Sequence, residues 1–174
     1  AMKNGEQYTL GGLTVTALHT PCHTRGHVCF LVTDAARPDA APVLFAGDTL
    51  FVGGCGRFFE GNAQEMYGNL GLEGVLATLP PETQVFCGHE YTASNLRFAL
   101  SVDGANPNLQ AKAAWVDGMR AEGRSTIPTT IGGERLWNPF MRADQPELKA
   151  SVGLGESADP IEVMAAVRAA KDRF

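Results

Sequence analysis

Residues 43–61, VLFAGDTLFVGGCGRFFEG, constrain the fold more than any other stretch of the chain. The apolar run 43–46 stops at Gly47 and is followed at once by Asp48, which favours a strand buried on both faces over an amphipathic helix. An ionised carboxylate at the end of such a strand is costly to bury alone, so Asp48 needs a cation, several hydrogen-bond donors or a metal. The glycine-rich segment 53–56 predicts a loop with unusual backbone angles or a close approach to another group.

Two other strand-like runs end in a similar way. Residues 13–18 alternate and lead into HTPCHTRGH at 19–27, and residues 83–87 lead into GHEY at 88–91. Because open α/β folds collect ligand sites at the carboxyl ends of strands, we expect these three ends to meet. Imidazole and carboxylate are the usual ligands of zinc and similar metals. The sequence therefore predicts a metal site whose candidate ligands are His23, Asp48 and His89.

Each candidate is weak when it is taken alone. A lone aspartate after a strand is more often a loop cap or a salt-bridge partner, and only the shared placement of the three candidates favours a site. His19 and His27 are interpreted as hydrogen-bonded structural histidines, of the kind that brace a metal site. Two metals need more ligands than this trio provides, so the residues account for half of a binuclear centre.

The last helix supplies a second signal. Arg168 and Lys171 are three residues apart and share one helical face, and Arg57 is a third cation that could join them around an anionic substrate. The alternative is a solvated basic face near a helix C-terminus, which the helix dipole also favours.

Composition narrows the class of protein. A net charge of −5 argues against a nucleic-acid-binding protein held by a basic surface. The four cysteines include no C-x-x-C pair, which favours a reduced, cytoplasmic setting over a disulfide framework. The chain shows no apolar run of membrane-spanning length and no signal-peptide pattern, so neither a membrane nor a nucleic acid is an expected partner.

The chain order predicts an α+β protein with two domains divided near Tyr91: residues 1–91, rich in strands, and the helical residues 92–174. Ala1 and Met2 are interpreted as a cloning remnant. Strands are expected at 13–18, 28–33, 43–46 and 83–87, helices within 62–79 and at 92–102, 107–122, 144–152 and 160–174, and irregular structure over most of 123–139.

Five segments together resemble glyoxalase II, the hydroxyacylglutathione hydrolase family of the metallo-β-lactamase superfamily. They are TPCHTRGH at 20–27, FAGDTLFVGGCGRFFEG at 45–61, VFCGHEYTASNLRFAL at 85–100, NPFMR at 138–142 and AAVRAAKDRF at 165–174. Motifs such as TPxHTxGH occur across the superfamily, whereas GCGRFFEG and the KDRF ending are much narrower. The resemblance implies part of an αββα sandwich followed by an all-helical, glutathione-binding C-terminal domain.

The resemblance also implies a function and roles for single residues. The family hydrolyses the thioester S-D-lactoylglutathione to D-lactate and glutathione in the cytoplasm or mitochondria, with two zinc ions, for which iron or manganese can substitute. His23 and His89 are implied as metal ligands, and Asp48 as the catalytic residue that bridges the two metals. The implied glutathione contacts are Arg57, Phe59, Tyr91, Arg168 and Lys171. Family members often have tyrosine where this chain has Phe59, so a hydroxyl hydrogen bond is absent there.

One departure from the family pattern limits these expectations. The family's His-x-His-x-Asp-His segment, which supplies four metal ligands, does not occur in the 174 residues. We therefore expect this chain alone to be inactive or nearly so, and to self-associate through the sheet face that the segment would cover. The alternatives are an iron-dependent glutathione persulfide dioxygenase of the same superfamily and a non-catalytic fragment that binds glutathione.

Overall fold

The computed structural model describes residues 3–174, so Ala1 and Met2, interpreted as a cloning remnant, lie outside it. The strands in these residues are β1 (Gln7–Leu10), β2 (Leu13–His19), β3 (Val28–Asp34), β4 (Val43–Gly47), β5 (Leu50–Phe51), β6 (Gly54–Cys55), β7 (Gln84–Cys87) and β8 (Thr129–Thr130). Six of them form one mixed sheet in the order β1-β2-β3-β4-β7-β8, while β5 and β6 form a separate hairpin.

The topology of the sheet brings three loops to the same end of the strands. Strands β2, β3 and β4 are antiparallel neighbours, whereas β4 and β7 are parallel. The carboxyl ends of β4 and β7 therefore lie side by side, and the loop between β2 and β3 reaches the same end of the sheet. The N–H of Gly88 donates a hydrogen bond to the carbonyl of Gly47 at 2.9 Å, which joins the two strand ends directly.

The two faces of the sheet differ in what covers them. Leu44 and Val85, which are paired in register, point into the main core and are fully buried. Side chains alternate along a strand, so Phe45 and Phe86 lie on the opposite face. There Phe45 is 50% exposed, and its ring centroid lies 5.8 Å from that of Phe86. This open apolar face also includes Phe30, which is paired with Phe45.

The helices begin at the residues that the sequence favours for helix starts. Asn106 accepts hydrogen bonds from the N–H groups of Asn108 and Leu109, and Asp159 accepts one from Ile161, so the helices that open at Pro107 and Pro160 are capped. The helices are α1 (Ala63–Leu70), α2 (Thr92–Asp103), α3 (Pro107–Ala121), α4 (Ile131–Trp137), α5 (Pro146–Ser151) and α6 (Pro160–Arg173), with a 3₁₀ turn at Pro139–Met141.

The expected strands and helices are confirmed to within a few residues, but the prediction of mostly irregular structure at 123–139 is wrong. This segment contains β8 and α4. The helix was not predicted because residues 132–133 are two adjacent glycines, and glycine disfavours helix formation. The hydroxyl of Thr130 compensates by accepting a hydrogen bond from the N–H of Gly133, which caps α4.

The two halves of the chain share one core. Leu44 and Val85 of the sheet belong to the same buried cluster as Phe98, Phe140 and Val163 of the helical half. Strand β8, from the helical half, adds to the sheet beside β7. The division into two domains near residue 91 therefore stays a prediction, made for a chain whose halves pack against each other.

Glu134 of α4 is the most buried acidic side chain that joins the two halves. Its carboxylate is fully buried and accepts hydrogen bonds from Gly53 N–H at 2.8 Å, Thr129 Oγ1 at 2.7 Å, Trp137 Nε1 at 2.9 Å and Asn138 Nδ2 at 2.9 Å. Burial raises the pKa of this carboxyl group, although the hydrogen bonds oppose that effect. The amide and indole partners can only donate, so the fold requires an acceptor at this position.

We expect Glu134→Gln to lower the free energy of unfolding by about 2 kcal/mol, because its NH₂ group faces at least one partner that can only donate. Urea denaturation followed by circular dichroism measures the change. Glu73→Gln, at an exposed position, is the matched control and should change stability by less than about 0.5 kcal/mol. Equal effects of the two substitutions would contradict the assigned hydrogen bonds.

Candidate functional site

Asp48 lies where β4 turns toward the β5–β6 hairpin. Gly47 ends the strand with φ 49°, in the left-handed region that favours glycine. A Cβ atom at Gly47 would lie 2.8 Å from Nε2 of His27, so only glycine lets this imidazole approach the turn. Nε2 of His27 then accepts a hydrogen bond from the backbone N–H of Asp48 at 3.1 Å.

His27 and His19 both have structural partners. Because Nε2 of His27 accepts a backbone N–H, the ring proton is on Nδ1, which lies 2.9 Å from the hydroxyl of Thr49. Burial lowers the pKa of His27, and the nearby His23 lowers it further. The exposed His19 lies with Nε2 3.1 Å from the carbonyl oxygen of Arg25, to which it can donate. These contacts agree with the interpretation of both residues as hydrogen-bonded structural histidines.

Two other imidazoles approach the carboxylate of Asp48. Nε2 of His23 is 3.4 Å from Oδ2 of Asp48, and Nε2 of His89 is 3.7 Å from the same oxygen. His23 comes from the β2–β3 loop, whereas Asp48 and His89 follow the parallel strands β4 and β7. The structure thus brings together the three residues that the sequence singles out.

The tautomer of the neutral His23 ring makes this arrangement suitable for binding a cation. Nδ1 of His23 lies 2.9 Å from the carbonyl oxygen of Arg57, which can only accept, so the ring proton is on Nδ1. In the neutral ring Nε2 therefore presents its lone pair toward the oxygen of Asp48. Two lone pairs repel each other unless a cation lies between them. Zinc bonds of about 2.0–2.1 Å place two tetrahedral donors roughly 3.3 Å apart, close to the 3.4 Å observed.

The donor set fits part of a metal centre. Both imidazoles approach the same carboxylate, yet residues 3–174 contain no group of three or more His, Cys, Asp or Glu side chains already arranged to enclose a metal ion. Two imidazoles and one carboxylate still leave most positions of a binuclear centre unfilled.

A cavity of about 360 Å³ adjoins these three residues. Its lining also includes the five other residues that the sequence analysis assigns to the substrate: Arg57, Phe59, Tyr91, Arg168 and Lys171. Phe59 and Tyr91 are largely exposed and contact the candidate ligands: the ring of Phe59 lies 5.0 Å from that of His23, and Tyr91 stacks on His89 at 5.0 Å. The cavity therefore joins the imidazole–carboxylate cluster to aromatic and cationic side chains.

The cations of the cavity are buried to very different extents. Arg57 is well exposed, whereas Arg168 is 6% exposed and its Nε atom has no hydrogen-bond partner in the described part of the chain. Lys171 donates to Oδ1 of Asn95. Burial lowers the pKa of Lys171 to about 8, and the charge of Arg168 adds to the effect. Asp172 lies 2.7 Å from Arg168 and 3.8 Å from Arg57 and offsets part of this positive charge.

Two side chains of the cavity lining were missed by the sequence analysis: Phe51 and Asn95. A signal for Asn95 was present. The buried residues of α2 include Thr92, Asn95, Leu96 and Ala99, and this spacing defines one helical face. A carboxamide within that face requires polar partners and therefore indicates a role. Phe51 gave no such signal, because it resembles an ordinary residue of a buried strand.

Comparison with solved structures defines the class of this fold. A metallo-β-lactamase from Staphylococcus aureus matches 97% of this chain and 42% of its own, with a TM-score of 0.57 and 21% identity. ETHE1 from Myxococcus xanthus matches 98% of this chain and 58% of its own, with a TM-score of 0.53 and 27% identity. The chain has a metallo-β-lactamase fold with a helical C-terminal region, as expected, and this fold family implies dependence on a metal.

Sequence comparisons indicate which family of enzymes this chain resembles. The family model of the hydroxyacylglutathione hydrolase C-terminus matches residues 90–174. The cytoplasmic hydroxyacylglutathione hydrolase of Arabidopsis thaliana is 47% identical over all of this chain and 65% of its own length, and a hydroxyacylglutathione hydrolase of Synechococcus is 47% identical over 99% and 64%. The chain is similar over its whole length to hydroxyacylglutathione hydrolases, and it spans somewhat less than two thirds of the length of these relatives.

None of the helices found between residues 3 and 174 has the length and apolar character needed to cross a membrane.

Proposed function

We propose that the chain is part of a hydroxyacylglutathione hydrolase, which cleaves S-D-lactoylglutathione into D-lactate and glutathione in the cytoplasm. The main support is one cavity lined both by the cluster of His23, Asp48 and His89 and by two cations, the buried Arg168 and the half-buried Lys171. Identity of 45–47% to several hydroxyacylglutathione hydrolases favours this function over the oxygenase and the non-catalytic fragment.

In this proposal His23, Asp48 and His89 hold zinc, and Asp48 bridges two ions. Iron and manganese accept the same ligands. When bound, such a metal supplies hydroxide at neutral pH and polarises the thioester carbonyl. The chain's own contribution is to orient the donors: the carbonyl of Arg57 keeps the proton of His23 on Nδ1, so Nε2 remains free to bind the metal.

The cations would bind the glutathione part of the substrate, with residues 92–174 as the main binding domain. Arg168 is buried and Lys171 is half-buried, both line the cavity, and burial already lowers the pKa of Lys171, so a carboxylate that enters the cavity would stabilise their charge. Arg57 at the rim, with Phe59 and Tyr91, would contact the rest of the tripeptide. Holding glutathione in this way positions the thioester beside Asp48, which lowers the entropic part of the barrier.

We expect the purified chain to bind less than two equivalents of Zn²⁺, because residues 3–174 supply three suitable donors. His23→Ala and His89→Ala should each weaken binding by about tenfold or more, since both remove a direct ligand. Mass spectrometry of the metal content after dialysis against Zn²⁺ measures the loss. His19→Ala is the matched control, because His19 contacts the carbonyl of Arg25 instead.

The same zinc-loaded samples test the activity through release of glutathione from S-D-lactoylglutathione. Because the donor set is incomplete, we expect hydrolysis by this chain alone to be far slower than by a protein with a full binuclear centre. Fast hydrolysis would contradict the expected inactivity of this chain, and zinc uptake that does not depend on His23 and His89 would contradict the assigned ligands.

We expect the affinity for S-methylglutathione, which cannot be hydrolysed, to decrease as the pH rises above about 8. The ammonium of Lys171 loses its proton in this range in the free protein, and the anionic ligand must restore it. Isothermal titration calorimetry in buffers of different ionisation enthalpy measures both the affinity and the proton uptake.

Lys171→Met is the control for this pH dependence. The variant should bind more weakly at pH 7 and show a smaller decrease at high pH. The amino group of the ligand titrates in both proteins, so the difference between the two profiles isolates Lys171. Identical profiles would show that Lys171 does not contact the ligand.

We propose further that the chain self-associates through its open apolar face. Phe45 is half exposed beside Phe86, and exposed apolar patches promote association. Light scattering at tens of micromolar should detect dimers or larger species, and Phe45→Asp should shift them toward the monomer. Leu136→Asp, a change of similar exposure on α4, should have no such effect. A strictly monomeric wild-type chain would overturn this proposal.

A further inference from the structure

The turn of the β5–β6 hairpin is clamped by three polar side chains from the helical half. Nδ2 of Asn95 donates to the carbonyl of Val52 at 3.0 Å, and the carboxylate of Glu134 accepts from the N–H of Gly53 at 2.8 Å. Asn138 completes the clamp: its Nδ2 donates to the carbonyls of Phe51 and Gly54 at 3.3 and 3.0 Å. The backbone groups of this turn are thus paired with side chains distant in sequence.

Asn95 differs from the other two because its amide also reaches a cation of the cavity. Its orientation is fixed, since the carbonyl of Val52 can only accept and the ammonium of Lys171 can only donate. Nδ2 must therefore face the hairpin, and Oδ1 must face Lys171. Asn95 is 4% exposed, so water cannot easily replace either partner.

The packing leaves the amide no room to move toward the hairpin. A Cβ atom at Gly54 would lie 2.7 Å from Nδ2 of Asn95, so the glycine allows direct contact between the backbone and the carboxamide. Lys171 also lies 5.3 Å from the ring centroid of Phe98, which limits its movement on another side. The ammonium is therefore held at a defined position relative to the turn.

The same hairpin continues toward the metal-ligand cluster. Two residues after β6, the carbonyl of Arg57 accepts the hydrogen bond from Nδ1 of His23. The hairpin segment 50–57 thus contacts Lys171 through Asn95 at one point and His23 directly at another. The distance between an anion held by Lys171 and the cluster of His23, Asp48 and His89 would therefore depend on this segment.

We propose that Asn95 is a positioning residue: its carboxamide fixes the ammonium of Lys171 against the hairpin, so that a glutathione conjugate held by Lys171 presents its thioester to the cluster of His23, Asp48 and His89. The inference rests on the proposed function and deepens it. Asn95 acts through Lys171 and the hairpin and has no part in bond making.

A double-mutant cycle of Asn95→Ala and Lys171→Met tests the coupling through the affinity for S-methylglutathione. We expect Asn95→Ala to weaken binding by about tenfold, as for loss of a hydrogen bond to a charged group. In the Lys171→Met background the further loss should be less than about twofold, because the partner is already gone. Asn69→Ala is the matched control: Asn69 is also buried and donates to a backbone carbonyl, that of Pro21.

A second readout does not need the ligand. The pKa of the Lys171 ammonium, followed by NMR, should fall in Asn95→Ala, which removes an acceptor, and rise in Asn95→Asp, which adds a negative charge. The other charged or titratable groups near Lys171 are Arg168 and Asp172 on α6 and Cys55 on the hairpin, and neither substitution alters them. Asn69→Ala should leave the titration unchanged.

These two measurements separate the inference from the proposed function. If the wild-type chain fails to bind S-methylglutathione, the proposed function is wrong, and the titration alone decides whether Asn95 controls the ammonium. Additive losses in the cycle, or a Lys171 titration that Asn95→Ala and Asn95→Asp leave unchanged, would overturn the role of Asn95. If Asn95→Ala does not fold, the titration of Asn95→Asp still gives the answer.

Discussion

The carboxylate of Asp48 faces two imidazole nitrogens, and the rest of the candidate site depends on this arrangement. Parallel pairing of β4 and β7 places Asp48 and His89 at adjacent strand ends. The backbone N–H of Asp48 donates a hydrogen bond to Nε2 of His27, and the carbonyl of Arg57 keeps the ring proton of a neutral His23 on Nδ1. Nε2 of His27 is thus already engaged, while Nε2 of a neutral His23 presents a lone pair toward a carboxylate oxygen at 3.4 Å. A metal ion between these two atoms would satisfy both donors, which is the physical argument for the proposed metal centre.

The second constraint is the free-energy cost of burying Arg168 and Lys171, which line the cavity together with the imidazole–carboxylate cluster. Arg168 is almost fully buried and its Nε atom has no hydrogen-bond partner within residues 3–174, while burial lowers the pKa of Lys171 to about 8. A protein that needed only stability would replace these side chains with apolar ones. The cost of burying these cations is offset when an anion binds, because each cation then gains an oppositely charged partner in a site of low dielectric constant. The burial of these cations thus favours recognition over a solvated basic face.

Much of this organisation could be predicted from the sequence, for identifiable reasons. Asp48 and His89 follow short apolar runs that glycine ends, and this pattern correctly indicates a buried strand that delivers a polar side chain. Helix α4 could not be predicted, since its glycines argue against a helix and its cap at Thr130 is a single hydroxyl. The place of Asn95 on a buried helical face indicated that it has polar partners, but their identity could not be predicted, because Val52 and Lys171 are 43 and 76 residues away. Local patterns do not identify such distant partners.

The chemistry of Asn95 explains why a neutral amide, and no other side chain, suits its position. The site requires a donor toward the carbonyl of Val52 and an acceptor toward the ammonium of Lys171. Aspartate would pair with Lys171 but would repel the carbonyl, and lysine or arginine would repel Lys171. A carboxamide satisfies both partners without neutralising the cation, so Lys171 keeps its charge for an incoming anion. Because the amide also holds the hairpin that leads to Arg57, the proposed binding of the substrate and the orientation of His23 as a proposed metal ligand depend on the same segment.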